Sequence, residues 1–320
     1  MKATFLIQRY VPERDAAPHF ERYQLDLWDE ATILDGLLAI KDRQDDSLSF
    51  RRACRHAICG SCAMVVNGYT KLVCKTPISS ELKRGRMGLR ITPMRTMQVV
   101  KDLVVDMAPF WKHFRDVEPW LQPDPRKEPA ADKEYRVTPE QVAHSRKDLN
   151  CILCACCYSD CGVTEVDSHF AGPPALSKAH RFVTDPRDAR RKERLEALVG
   201  QGLWDCAHAY SCMECPKHVD PAHAIADLRR LSIEAGITSN IGARHSQQFT
   251  KSVTRTGRLD ETRLVLQTVG LTNVAGQIRN APQGMRMLMK GKLPLPMVHH
   301  VDNQQDVRRI ADALGSKDER

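Results

Sequence analysis

Alternating apolar and polar positions dominate the first hundred residues. ATFLIQRY (3–10) and ERYQLDLW (21–28) predict two paired strands, the second with Tyr23, Leu25 and Leu27 alternating against polar neighbours. At ATILDGLLAI the period lengthens, and Ile33, Leu34, Leu37 and Leu38 fall at helical spacing. CAMVV and YTKLVC flank Asn67-Gly68, a two-residue hairpin signal, and LRITPM predicts one further strand. The run QVVKDLVVDMAPFW, interrupted by Lys101, Asp102 and Asp106, predicts an amphipathic helix.

Beyond this the pattern changes. EPWLQPDPRKEPAAD (118–132) holds four prolines among charges, which suits an extended linker. TPEQVAHS opens a helix with a Thr cap and Pro at its first position. PPALSKAHRFV, DARRKERLEALV and PAHAIADLRRLSIEAG predict further helices, the last with a Gly stop. The expected class is therefore α+β. A small mixed sheet with one helix across it spans 1–106, a linker 107–137, and a helical domain 138–236. The extension 237–320 has no cysteine and weaker periodicity. Its stretch GMRMLMKGKLPLPMVHH, Met-rich and basic, is expected to dock a partner; a mobile tail or ordinary core packing stays open.

Composition narrows the chemistry. The chain of 320 residues is 42% hydrophobic and 28% charged, with a net charge of +8 and only 6% aromatics. The excess charge is scattered (Arg51, Arg52, Arg55, Arg84, Arg86, Arg190, Arg191, Lys192), and no basic run alternates with stacking aromatics, so nucleic acid is not an expected partner. The opening MKATFLIQRY lacks the apolar core of a signal sequence. No stretch approaches the roughly 20 apolar residues of a spanning helix, so membrane attachment is expected to go through a partner. Twelve cysteines in a reducing cytosol argue for metal or redox chemistry rather than disulfides.

The cysteines fall in three groups. Cys54-x4-Cys59-x2-Cys62, with Cys74 across the hairpin, has plant-type 2Fe–2S ferredoxin spacing, and Gly60 lets backbone N–H groups approach the sulfurs. A structural zinc site would favour closely spaced cysteine pairs, which are missing here. CILCACCYSDCG (151–162) contains Cys151-x2-Cys154-x2-Cys157-x3-Cys161. This is the bacterial ferredoxin run, whose fourth cysteine reaches a second cluster. The third group, Cys206-x5-Cys212-x2-Cys215-Pro216, has Ala209 where a symmetrical repeat would place its middle cysteine. The count then assigns Cys151, Cys154, Cys157 and the returning Cys215 to a 4Fe–4S cluster. Cys161, Cys206 and Cys212 go to a 3Fe–4S cluster, and Cys156 remains as a small buried residue. His56, His169, His218 and His223 are not needed as ligands, whereas His208 is a candidate for the quinone or 3Fe–4S vicinity. Arg51, Arg52 and Arg55 flank the first loop, as a solvated face, as an offset to cluster charge, or as a meeting point with a flavoprotein.

RRACRHAICGSCAMVVNG and CILCACCYSDC resemble the signature segments of the iron–sulfur subunit of succinate dehydrogenase and fumarate reductase, over roughly residues 1–235. The resemblance implies a β-grasp ferredoxin domain, an all-α domain of the bacterial-ferredoxin kind, and a place in respiratory electron transport and the tricarboxylic acid cycle. It further implies a flavoprotein partner with covalent FAD, three clusters passing electrons in order, and a quinone acceptor. The resemblance also implies a location at the cytoplasmic face of the inner membrane, held there by partner subunits. Three departures stand out. Met213-Glu214 gives two residues where the family usually has three; Ala207, followed by His208, stands where familiar members have a quinone-site His; and Val166 stands for a Trp. The tail resembles the end of the heterodisulfide-reductase C subunit, which docks on a subunit with CCG domains. This implies a variant succinate dehydrogenase whose membrane partner is related to that reductase, with an ordinary membrane anchor as the other expectation. A relay of the heterodisulfide-reductase or glycolate-oxidase kind is the alternative, but such relays usually lack the first domain. A zinc-binding interaction protein is the non-redox alternative.

Overall fold

Strands β1 (Lys2–Arg9) and β2 (His19–Asp26) pair antiparallel from Lys2↔Asp26 to Arg9↔His19, as the alternation predicts. The inward row of β1 is Ala3, Phe5, Ile7 and Arg9. Helix α1 (Ile33–Arg43) starts at a capping box between Thr32 and Asp35 and buries Ile33, Leu34, Leu37 and Ile40, with Leu38 half-buried at its edge. Gly36 is required by close approach, because a Cβ there would sit 2.2 Å from the Phe5 ring. Strands β3 (Ala63–Val66) and β4 (Tyr69–Leu72) form the hairpin at Asn67-Gly68, both in positive φ, as a primed turn demands. Helix α2 (Ile78–Leu82) precedes β5 (Leu89–Thr92), which slots between β1, in parallel, and β3, antiparallel. The sheet order is β2-β1-β5-β3-β4.

The computed structural model describes residues 1–82, 88–127, 129–130, 132–270, 272–292 and 301–315. Arg84, Arg86 and the LPLPMVHH end of the tail stretch lie outside the described residues.

The helix expected over QVVKDLVVDMAPFW does not form as such. Its first half is a small hairpin, β6 (Val99–Lys101) and β7 (Val104–Val105), and only then does α3 (Ala108–Asp116) begin. The reason is Asp102, which is 0% exposed with φ of 47°. Its N–H donates to the Tyr10 carbonyl at 2.8 Å. Its carboxylate accepts from Arg9 Nε (3.1 Å), Tyr10 N–H (3.1 Å) and Ser49 N–H (2.9 Å). Helical backbone would forfeit these bonds in a buried place. The prolines after α3 do not leave a free linker at its start either. Arg194 donates to the Glu118 and Trp120 carbonyls (2.7 and 2.8 Å), and Gln122 bonds the Asp188 carboxylate.

Helices follow: α4 (Pro139–Ser145), capped by Thr138 as predicted, α5 (Cys156–Ser159), α6 (Gly162–Val166), α7 (Pro173–Val183), α8 (Arg191–Gly200) and α9 (Pro221–Glu234). Short 3₁₀ turns cover Asp148–Asn150 and Ser211–Met213. Helix α7 is buried almost throughout.

Residues Met1–Arg230 form one compact unit and Leu231–Arg320 a second. The second contains α10 (Ile241–Thr256), α11 (Glu261–Val269), α12 (Val274–Met289) and α13 (Gln304–Gly315). Asn240, Asp260 and Asn273 cap the first three of these, a local signal stronger than their periodicity.

Candidate metal centres

The first cysteine loop is built from strained backbone. Arg55, Ala57 and Gly60 all have positive φ (57°, 54° and 74°), which aims successive N–H groups inward. His56, Ile58 and Cys59 N–H groups lie 3.3–3.4 Å from the Cys54 sulfur, and the Ala57 N–H lies 3.3 Å from that of Cys74. The Ser61 hydroxyl, 3.0 Å from Cys59 Sγ, and backbone N–H groups bring that thiol down to about 6. Burial pushes the Cys62 thiol up to about 12, and neighbouring Cys74 and Cys59 add to the cost. Four sulfurs are thus gathered under N–H donors of the kind that thiolate ligands of a cluster require. Arg51, Arg52, Arg55, His56 and Ile58 are exposed around them.

The second group is held against the first domain. Thr70 of β4 donates its N–H and hydroxyl to the Asp160 carboxylate (2.9 and 2.5 Å), and the Arg95 N–H donates to Ser159 Oγ (2.9 Å). The two cysteine loops touch: a Cβ on Gly60 would lie 2.8 Å from Cys154 Cα and Cβ. Leu153 and Ala155 take left-handed backbone, turning the chain around its own sulfurs. Cys151, Cys154, Cys157 and Cys215 line one cavity, walled by Ile152, Leu153, Pro174, Pro216, Val219 and Pro221. Burial pushes the Cys157 thiol far up, and the Cys154, Cys151, Cys215 and Cys212 sulfurs push it further. Cys156 lines the same cavity, is buried, and hydrogen-bonds Cys154, which brings the Cys154 thiol down to about 7.

The third group centres on Cys212, whose thiol burial raises to about 11, with Cys206 and Cys161 adding to the rise. So Cys161 turns toward Cys206 and Cys212, while Cys215 turns back to the second group. Ala209 is exposed between them. His208 is half-buried with φ of 51°, and its Nε2 faces Arg229 at 2.8 Å. Burial, then that guanidinium, lowers the His208 pKa. Val166 is 85% exposed and Ala207 is exposed. Among the described residues, no three His, Cys, Asp or Glu side chains converge closely enough to ligate one bare ion. The thiols of Cys151, Cys154, Cys157 and Cys215 instead line a shared cavity.

Comparison with known proteins decides the family. Residues 4–112 match the model for a 2Fe–2S iron–sulfur cluster binding domain, and 148–219 that for a 4Fe–4S dicluster domain. The fumarate reductase iron–sulfur subunit of Mycobacterium tuberculosis is 41% identical over 223 residues, covering 68% of this chain and 88% of the relative. The chain belongs to the succinate dehydrogenase and fumarate reductase iron–sulfur subunit family. Within that family, the mitochondrial succinate dehydrogenase [ubiquinone] iron–sulfur subunit 1 of Oryza sativa is 41% identical, covering 72% of this chain and 83% of its own. The 8-methylmenaquinol:fumarate reductase iron–sulfur subunit of Wolinella succinogenes is 32% identical over 97% of both chains, so that likeness includes the extension. A solved Mycobacterium smegmatis Sdh1 complex in the apo form matches with a TM-score of 0.65 at 27% identity, over 73% of this chain and 96% of that one.

Sequence reasoning missed two residues beside the sulfurs. Arg229 of α9 donates to the Cys206 and Leu203 carbonyls (2.8 and 2.9 Å), bonds His208, and lies 5.2 Å over the Trp204 ring. Lys178 of α7 is 9% exposed and donates to the Asp148 carbonyl. Neither stands near a cysteine in sequence, and only the fold of α7 and α9 brings them there.

Proposed function

We propose that the chain is the electron-transfer subunit of a succinate:quinone oxidoreductase, standing between the covalent FAD of a flavoprotein and a quinone. Cys54, Cys59, Cys62 and Cys74 would hold a 2Fe–2S cluster, Cys151, Cys154, Cys157 and Cys215 a 4Fe–4S cluster, and Cys161, Cys206 and Cys212 a 3Fe–4S cluster. The donor sets fit: sulfur-only ligands, N–H donors around Cys54 and Cys74, and a cavity walled by apolar side chains at Cys151–Cys157. Bound there, the clusters would supply one-electron redox chemistry. In this reading the N-terminal sheet with α1 is a β-grasp domain and the helical half an all-α ferredoxin-like domain.

One observation carries the proposal most: the thiol sets are contiguous. Gly60 abuts Cys154, and α5, which carries Cys157, packs against the turn Ser211–Met213, which carries Cys212. The chain's own residues do the work of spacing, orientation and charge. The exposed loop with Arg51, Arg52, Arg55 and Ile58 suits the flavoprotein, and the Cys206 loop with His208 suits the quinone end. The extension would dock a membrane anchor or a CCG-domain subunit, at the cytoplasmic face of the inner membrane. Among the described residues no helix is long and apolar enough to cross a membrane. The match of residues 4–112 to a 2Fe–2S domain supports this reading over a heterodisulfide-reductase-like or glycolate-oxidase-like relay.

Metal analysis and low-temperature EPR of the isolated complex test it. Iron with acid-labile sulfide is expected, and zinc alone would end the proposal. An oxidised-state 3Fe–4S signal is expected to be replaced by a reduced-state 4Fe–4S signal in Ala209→Cys. Its persistence would count against the ligand set drawn from Cys161, Cys206 and Cys212.

A further inference from the structure

Helix α12 (Val274–Met289) carries two stripes. At about 100° per residue, Val274, Ile278, Ala281, Met285, Leu288 and Met289 fall in one arc roughly a third of the circumference wide. That arc faces outward: Val274 and Ile278 are each 66% exposed, Met285 57%, Leu288 56% and Met289 74%. Beside it, Arg279, Arg286 and Lys290 share a second, narrow arc, all exposed. The buried side of the helix is elsewhere, at Gly276.

Charge along this stretch of sequence is of one sign. From Thr262 to Val301 there is no Asp or Glu, although carboxylates number 40 among the 320 residues of the chain. The same run contains Arg263, Arg279, Arg286, Lys290 and Lys292. Met and Arg suit protein interfaces as well as lipid, so the layering of charge over apolar surface decides the occupant. A leaflet of anionic lipid presents one sign over its whole surface, with apolar chains directly beneath. An exposed apolar arc flanked by cations with long methylene stems matches that layering.

We propose that α12 lies in the surface of an anionic bilayer, its apolar arc among the acyl chains and Arg279, Arg286 and Lys290 among the phosphates. This gives the chain a direct hold on the membrane in addition to any partner subunit, and it stands independently of the electron-transfer reading.

Flotation of the purified, cluster-loaded full chain with protein-free vesicles tests it. Binding is expected to vesicles of phosphatidylcholine with phosphatidylglycerol, and to fall with added salt. Removing three charges in Arg279→Gln/Arg286→Gln/Lys290→Gln should lower the partition coefficient roughly a hundredfold, about fivefold per charge. Ile278→Asp/Met285→Asp should abolish binding, with helical circular dichroism, iron content and visible absorbance unchanged in both variants. Absence of wild-type binding to the anionic vesicles, or equal binding by wild type and variants, overturns the proposal. So does unchanged vesicle binding by Ile278→Asp/Met285→Asp with loss of a co-purifying membrane subunit, since that assigns the arc to a protein.

Discussion

Lys178 brings an ammonium into a site that is 9% exposed. Its Nζ donates to the Asp148 carbonyl at 3.2 Å, and the Cys151 N–H donates to the same oxygen at 3.2 Å. Burial draws its pKa down and the Cys151 sulfur draws it back. A positive charge so near the proposed 4Fe–4S ligands favours the reduced form, because Coulomb attraction is weakly screened in a buried site. Lys178→Met is expected to move that midpoint potential to more negative values, read by EPR-monitored redox titration. Lys178→Arg should restore most of it, and the other two potentials should hold. At this scale the sequence was readable only for the cysteines, whose spacing is dictated by sulfur–metal chemistry. Lys178 and Arg229 look like any other helical cation until α7 and α9 fold.

Among the elements, the loop carrying Gly60 has the least tolerance. Its φ is 74°, and a side chain would strike Cys154 backbone at 2.8 Å. Gly60→Ala therefore combines left-handed strain, about 1–2 kcal/mol, with displacement of the loop from the second cysteine group. Loss of the 2Fe–2S EPR signal and a drop in iron per chain are expected, with the helical half retaining its own signals. Local patterning predicted the β1–β2 and β3–β4 hairpins and helices α1 and α7–α9, because those segments bury the apolar positions their periodicity marks, while α4, which buries no residue, was legible from its Thr138 cap and Pro139. It failed at Val99–Val105, where Lys101 and Asp102 read as the polar face of a helix. Asp102 instead turns inward to Arg9, a partner 93 residues away.

On the scale of the whole molecule, His180 ties three segments together. Its Nδ1 lies 2.6 Å from Asp148, beside the second cysteine group, and its Nε2 lies 3.0 Å from Asp227 of α9. Burial alone would lower its pKa, but hydrogen bonds to Asp148 and Asp227 outweigh that and raise it to about 9. Because the folded value exceeds the unfolded one, this contribution is complete below about pH 6.5 and is lost as pH rises through about 9. It is of the order of 3 kcal/mol. His180→Gln should lower the thermal midpoint at pH 6 and lose most of that difference above pH 9, measured by circular dichroism at graded pH. The sequence by itself determined the number and spacing of the cysteines, the α+β order and the uniformly cationic run from 262 to 301. Each of these depends on residue type and short spacing alone. Tertiary structure decided that the Gly60 loop rests on Cys154, that Asp102 turns inward to Arg9, and which cations stand beside which sulfurs. Those outcomes depend on contacts between residues far apart in the chain, which form only when burying the separate apolar faces together offsets the entropy of bringing them there.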